Sequence, residues 1–309
     1  MQRILLILVG ALVLGADPGP RSSADEFAAS ASLGTLVAEG RLGELEQRIR
    51  AGVTPEAGLM AAVRHDSDDA LRLVLELGAD PYGRQASRAL FRAKRKGLDR
   101  AARVLTQAGA NLEGRDPNGR TLLMLAVQQG NVARVRDLVG EGADVNARSN
   151  VGTTVLMAAV ARGRRRNLKA LLDSGTEIDA EDRDGWTALE WAVRLENVEA
   201  VRLLLSRGAN PDHIDRLGWT PLLLASVQAN PVVVHELLAR GASPNLRTPA
   251  VGTALIRGVY GGNREVIRQL LAYGADRRPG FGGRTAFEWA RALGRTDLTG
   301  LLVVGERRP

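Results

Sequence analysis

An all-α solenoid of about nine helix-turn-helix units, joined by hairpin-like finger loops, is the fold this sequence predicts. Three observations predict it. Gly109, Gly142, Gly175, Gly208, Gly241 and Gly274 recur every 33 residues. Thr121, Thr154, Thr187, Thr220 and Thr253 recur at the same interval, and Thr285 follows after 32. Between the two series apolar residues fall at helical spacing, as in Val198, Val201, Leu204 and Leu205. A helix pair of this size cannot bury its apolar face alone, so repeated pairs stack and share one continuous core.

The chain opens on one positive side chain, Arg3, followed by an apolar run with glycines at residues 4–15. A bilayer span needs about 20 residues. The run therefore fits the apolar region of a secretory signal peptide, with a short uncleaved anchor as the alternative. Small residues permit cleavage after Gly15 or after Ala24, and both sites stay open. Residues 1–24 are thus expected to be a signal peptide and cleavage region. Residues 25–309 are expected to form the repeat domain, with degenerate units to about 112, regular units over 113–278 and a C-terminal cap over 279–309. The mature chain is expected to be periplasmic or secreted and to carry no transmembrane span.

Each repeated residue has a physical reason. Threonine at the start of the first helix can N-cap it, the hydroxyl accepting a backbone N–H. Ala126, Ala159, Ala192, Ala225 and Ala290 are small and let paired helices approach closely. The glycine after the second helix supplies a left-handed C-cap. The end units should differ from the rest. The first offers Glu44, Glu46, Gln47, Arg48 and Arg50 on its outer helix, and the last stops beside Glu306, Arg307 and Arg308.

The phrases Asp215-Arg-Leu-Gly-Trp-Thr-Pro-Leu-Leu-Leu-Ala225 and Glu236-Leu-Leu-Ala-Arg-Gly-Ala242 resemble the ankyrin repeat. So does Asp182-Arg-Asp-Gly-Trp-Thr-Ala-Leu-Glu-Trp-Ala192. The likeness is strong over residues 116–302 and weaker upstream, where Gly52, Gly78 and Gly109 are unevenly spaced. One departure stands out. The family histidine that bonds neighbouring loops is replaced by Met124, Met157, Glu190, Leu223, Ile256 and Glu288, so other groups must supply that bonding. The resemblance implies a non-enzymatic interaction module whose fingers and inner helices form a concave binding face.

Composition narrows the chemistry. Cys is absent, which excludes disulfides, thiol nucleophiles and cysteine metal sites. The three histidines, His65, His213 and His235, lie far apart in sequence and read as surface residues. The acidic run after His65 lacks calcium-loop spacing and reads as a helix N-terminus. Gly280-Phe-Gly-Gly283 follows no strand and reads as a finger. No catalytic residues, cofactor or metal are expected.

Two features suggest binding. Trp186 and Trp219 each precede a capping threonine, 33 residues apart, and are expected side by side at neighbouring finger bases. Trp191, Arg183, Arg194 and Arg216 fall at variable positions around them, and tryptophan and arginine dominate interface hot spots. Trp289 repeats the Trp191 position in the last unit and reads as part of the cap. These six residues form the expected contact patch for a protein partner of unknown identity. The second feature is a basic edge of Arg162, Arg164, Arg165, Arg166 and Lys169, within a net charge of +7. It suggests the alternative of an envelope-surface binder on anionic lipid or cell-wall polymer. Nucleic acid is the weakest partner, because of the export signal and because no aromatic ladder interleaves with the charges.

Overall fold

Nine pairs of antiparallel helices run through residues 33–303, the residues that the computed structural model describes. The expected signal peptide, its cleavage sites and the charged C-terminal residues 304–309 lie outside them. The described pairs fall into two compact units, up to Ala110 and from Asn111. The first holds α1 (33–38), α2 (Leu42–Arg50), α3 (Pro55–Arg64), α4 (Asp68–Glu76), α5 (Arg84–Lys96) and α6 (Asp99–Gln107).

The second holds six pairs. Its inner helices are α7 (Leu122–Gln129), α9 (Val155–Ala161), α11 (Ala188–Arg194), α13 (Pro221–Val227), α15 (Ala254–Gly261) and α17 (Ala286–Ala292). Its outer helices are α8 (Val132–Gly140), α10 (Arg165–Leu172), α12 (Val198–Ser206), α14 (Pro231–Ala239), α16 (Arg264–Ala272) and α18 (Thr296–Leu302). Each inner helix packs on the next inner helix and each outer on the next outer, so the second unit has two layers.

The threonine series does what its position predicts. Thr121, Thr154, Thr187, Thr220, Thr253 and Thr285 each accept a hydrogen bond from the N–H three residues on, at 3.2–3.4 Å. Asn131, Asn197, Asn230 and Asn263 cap the outer helices in the same way, a second series the sequence reading did not pick out. The repeated inner alanines are at most 3% exposed, and Val201 and Leu204 are fully buried. The glycines that end the outer helices all hold positive φ, as the left-handed cap requires.

The lost family histidine is compensated in two ways. Met124, Met157, Leu223 and Ile256 fill its place with buried apolar volume, Met157 also accepting the Thr154 N–H with its sulfur at 3.4 Å. Glu190 and Glu288 instead accept the N–H of Thr187 and Thr285, each at 2.7 Å, closing capping boxes. Bonding between units comes from elsewhere. Glu113, Asn146, Asp179, Asp212 and Asn245, one per unit, each accept the backbone N–H of the residue 31 positions on, at 2.7–3.0 Å.

The fingers carry their own locks. Asp116, Asp182 and Asp215 each accept N–H groups two and four residues on with one carboxylate oxygen, which folds the turn before the threonine. Arg115 donates to the Arg148 carbonyl and Arg148 to the Glu181 carbonyl, so each finger grips the next.

Three inter-helix turns carry a non-glycine residue at positive φ, namely Asp66, Glu196 and Ala229. Between inner and outer helices the chain passes through positive φ in several units, with Gly130, Gly163 and Gly262 at that place. Ala229 occupies it in the seventh pair with φ of 60°. A left-handed L-residue costs about 1–2 kcal/mol, against about 0.5–1 kcal/mol for the extra freedom of glycine when unfolded. Ala229→Gly is therefore expected to stabilise the protein by about 0.5–1 kcal/mol in urea unfolding. A neutral or destabilising result would show that the Ala229 methyl is held by packing worth more than its strain.

Candidate functional site

Two arginines on the inner helices are laid against aromatic rings. In the sixth pair the Trp186 and Trp191 rings meet edge to face, 6.0 Å apart, and the Arg194 guanidinium sits 4.6 Å from the Trp186 ring centre. The finger fixes this group. Asp182 folds the turn with one oxygen and accepts the Trp191 indole N–H with the other, at 2.9 Å. The Trp186 indole N–H is buried without an acceptor. In the eighth pair Arg257 lies among three rings, 5.3 Å from Trp219, 5.2 Å from Tyr260 and 5.0 Å from Phe281. Its Nε donates to the Val251 carbonyl at 2.7 Å, and burial holds its guanidinium below the usual arginine range. Trp289 extends the row, its ring tilted by 47° to Tyr260 at 5.2 Å, with the Arg284 guanidinium 5.1 Å from the Trp289 ring centre.

No ring contact among the described residues joins Trp186 to Trp219. The ring against Trp186 is Trp191 of its own unit, whose indole N–H is held by Asp182 and whose place in the next unit is taken by Leu224. Trp219 is instead faced by Arg257 from the following unit. Arg183 and Arg216 join neither cluster. Both are exposed and, with Arg148, Asp179 and Glu181, line an open polar depression of about 660 Å³ between fingers. Their chains lie over the preceding finger. A Cβ on Gly152 would stand 2.8 Å from the Arg183 nitrogen, so that glycine is needed for close approach as well as for its φ of 82°.

A further polar group was not foreseen. His213, read as a surface residue, has a side chain only 13% exposed, placed between two glutamates. Its Nε2 lies 3.0 Å from Glu181 Oε1, and its Nδ1 lies 3.2 Å from Glu190 Oε2, close but poorly aligned for a hydrogen bond. Its finger loop folds over the inner helix of the preceding unit, which takes it off the surface. Burial raises the Glu190 carboxyl above its ordinary range, more than its Thr187 hydrogen bond and the His213 charge lower it. Burial pulls His213 down, but the Glu181 hydrogen bond and the Glu190 charge outweigh it and leave the imidazole raised. His65 and His235 are exposed, as expected.

All five residues of the basic edge are exposed around the turn between α9 and α10, and Arg165 pairs with Glu199 at 3.5 Å. Among the described residues no group of histidine, aspartate and glutamate is arranged to hold a metal ion. No described helix is long and apolar enough to cross a membrane.

Three overlapping stretches, residues 59–149, 124–215 and 156–248, match the family model described as ankyrin repeats (3 copies). Together they span more than half of the chain. The protein belongs to the ankyrin repeat family. Its fold is also similar to the crystal structure of the human ASB11 ankyrin repeat domain, at a TM-score of 0.56 and 27% identity, over 71% of this chain and 98% of that one. No curated protein matches the sequence.

As an ankyrin repeat protein the chain carries a module that typically mediates interaction rather than catalysis. Within it, the six residues expected to form one patch occupy three places: Trp186, Trp191 and Arg194 together, Trp219 with Arg257, and Arg183 and Arg216 at the finger depression. Arg257 was legible in principle, since it holds the helix position of Trp191 and Trp289. His213 had no local signal, because its partners come from a different unit.

The histidine network predicts a pH dependence. A His213 raised in the folded state binds its proton more tightly than in the unfolded chain. Its contribution to stability is then full below about pH 6.5 and is lost as pH rises through the folded-state value. The raised Glu190 carboxyl favours the protonated state too, so both act in the same direction. Urea unfolding from pH 6 to pH 8 is expected to show stability falling more steeply for the parent than for His213→Gln. Equal slopes would mean that the two glutamates do not hold the imidazolium.

Proposed function

We propose that this ankyrin array is a non-enzymatic scaffold that holds a protein partner on the inner-helix and finger face of its sixth to ninth pairs. The observation that carries this reading is the row of half-buried aromatic rings with Arg194 and Arg257 stacked on them. Tryptophan and arginine contribute most per residue to protein interfaces, and side chains already held in place lose little entropy on binding. The apolar run at residues 4–15 supports the accompanying proposal that the protein is exported, to a periplasm or outside the cell.

A second reading rests on the exposed basic turn. Arg162, Arg164, Arg165, Arg166 and Lys169 would there meet anionic lipid or cell-wall polymer. Sedimentation with phosphatidylglycerol vesicles tests it, since such binding collapses when salt shortens the Debye length to about 3 Å at 1 M.

The scaffold reading is tested by affinity capture from envelope extract, comparing the parent with a Trp186→Ala/Trp219→Ala variant of matched helicity. A protein retained by the parent at 0.5 M salt and depleted at least tenfold from the variant is the expected result. Equal retention by both would take the tryptophans out of the binding face.

A further inference from the structure

The two ring-stacked arginines have a feature that packing alone does not use. Arg257 spends its Nε on the Val251 carbonyl and lies against three rings, and among the described residues it forms no ion pair. Arg194 likewise lies against an indole face and forms no ion pair among the described residues. Ring faces attract the cation but accept no strong hydrogen bonds in its plane. They also strip water from it, and a partly dehydrated guanidinium gains most from an anion that matches its planar fork. Nearby carboxylates are engaged elsewhere: Asp182 by Trp191 and its own turn, and one oxygen each of Glu190 and Glu288 by Thr187 and Thr285.

The surface between the arginines is apolar. Leu224 and Val227 of α13 lie there half-buried, at the helix positions that Trp191 and Arg194 hold in α11 and that Arg257 and Tyr260 hold in α15. Helices α11, α13 and α15 pack in succession. Contacting helices lie about 8–10 Å apart, so two steps span roughly 16–20 Å. An extended chain advances about 3.3–3.6 Å per residue, which makes that span about five or six residues.

We infer that this face selects an extended acidic segment of a partner polypeptide, with two carboxylates about six residues apart on Arg194 and Arg257 and apolar side chains between them over Leu224 and Val227. The inference rests on the scaffold reading and adds the chemistry of the partner.

The test uses the full chain and a fluorescein-labelled peptide, Gly-Glu-Ser-Leu-Ser-Leu-Ser-Glu-Gly, followed by fluorescence anisotropy. Its control replaces both glutamates by glutamine. The glutamate peptide is expected to bind at least tenfold more tightly than the glutamine peptide. Arg257→Gln and Arg194→Gln are each expected to weaken it about tenfold. An Arg136→Gln/Arg240→Gln variant removes two charges from the outer layer, one within α8 and one at the C-cap of α14, and is expected to change it less than twofold. Arg257→Lys keeps the charge but not the fork, and is expected to weaken binding several-fold while circular dichroism confirms the fold. Equal binding of both peptides, equal loss in the outer-helix variant, or no binding of the glutamate peptide at 1 mM would each overturn the inference. If the captured protein still depends on Trp186 and Trp219 in any of those cases, the scaffold reading stands and the acidic segment alone is wrong.

Discussion

Register between successive units is set by one repeated hydrogen bond, and the rest of the second compact unit depends on it. A carboxylate or amide oxygen in each loop, from Glu113 to Asn245, takes the backbone N–H of the loop that follows. Stacked apolar helices can slide at little cost, because leucine and alanine surfaces are not directional. A hydrogen bond is directional, and although these bonds lie near the surface, a typical one contributes about 0.5–1.5 kcal/mol. Five such bonds in series therefore hold every unit to the same offset. Their donor and acceptor stay a constant 31 residues apart while the units repeat every 33.

That offset turns a sequence period into a surface. Residues 33 apart become neighbours, so each helix position is displayed as a row. The row that begins with Trp191 continues through Leu224 and Arg257 to Trp289, and the row of Arg194 continues through Val227 to Tyr260. These rows bring arginine and aromatic residues of adjacent units together, so that Arg257 meets Trp219 of the preceding unit and Phe281 of the following one. The finger locks at Asp182 and Asp215 give the tryptophans fixed positions without using buried volume in the core. Stability and recognition are thus divided between residues: caps, core and loop locks hold the array, and the half-buried inner-helix and finger positions are left to differ from unit to unit.

The period made the helices, their caps and the core alanines legible, because each of those roles belongs to a single residue type in a local context. A threonine can cap only the helix it begins, and a glycine with positive φ can end only the helix it follows. Features that depend on two units were not legible in the same way. Trp186 and Trp219 share a sequence position, yet one is turned onto its own helix and the other meets the next unit's arginine. His213 reads as a loop residue until the preceding unit supplies Glu181 and Glu190. Ala229 shows no sign in its own neighbourhood of the left-handed turn that the array imposes on it. The missing family histidine was visible, and so was the need for a substitute. Its replacement by glutamate in two capping boxes and by apolar volume elsewhere required the packing to be known.

Binding through the inner-helix and finger face is the central functional claim, and site-specific photocrosslinking tests it most directly. A benzophenone side chain placed at Leu217, an exposed finger residue between the two arginine clusters, would be compared with one at Arg136 on the outer layer. Crosslinked adducts with a protein partner from position 217 and none from position 136 are predicted. Adducts formed from position 136 alone would contradict the assignment of the face.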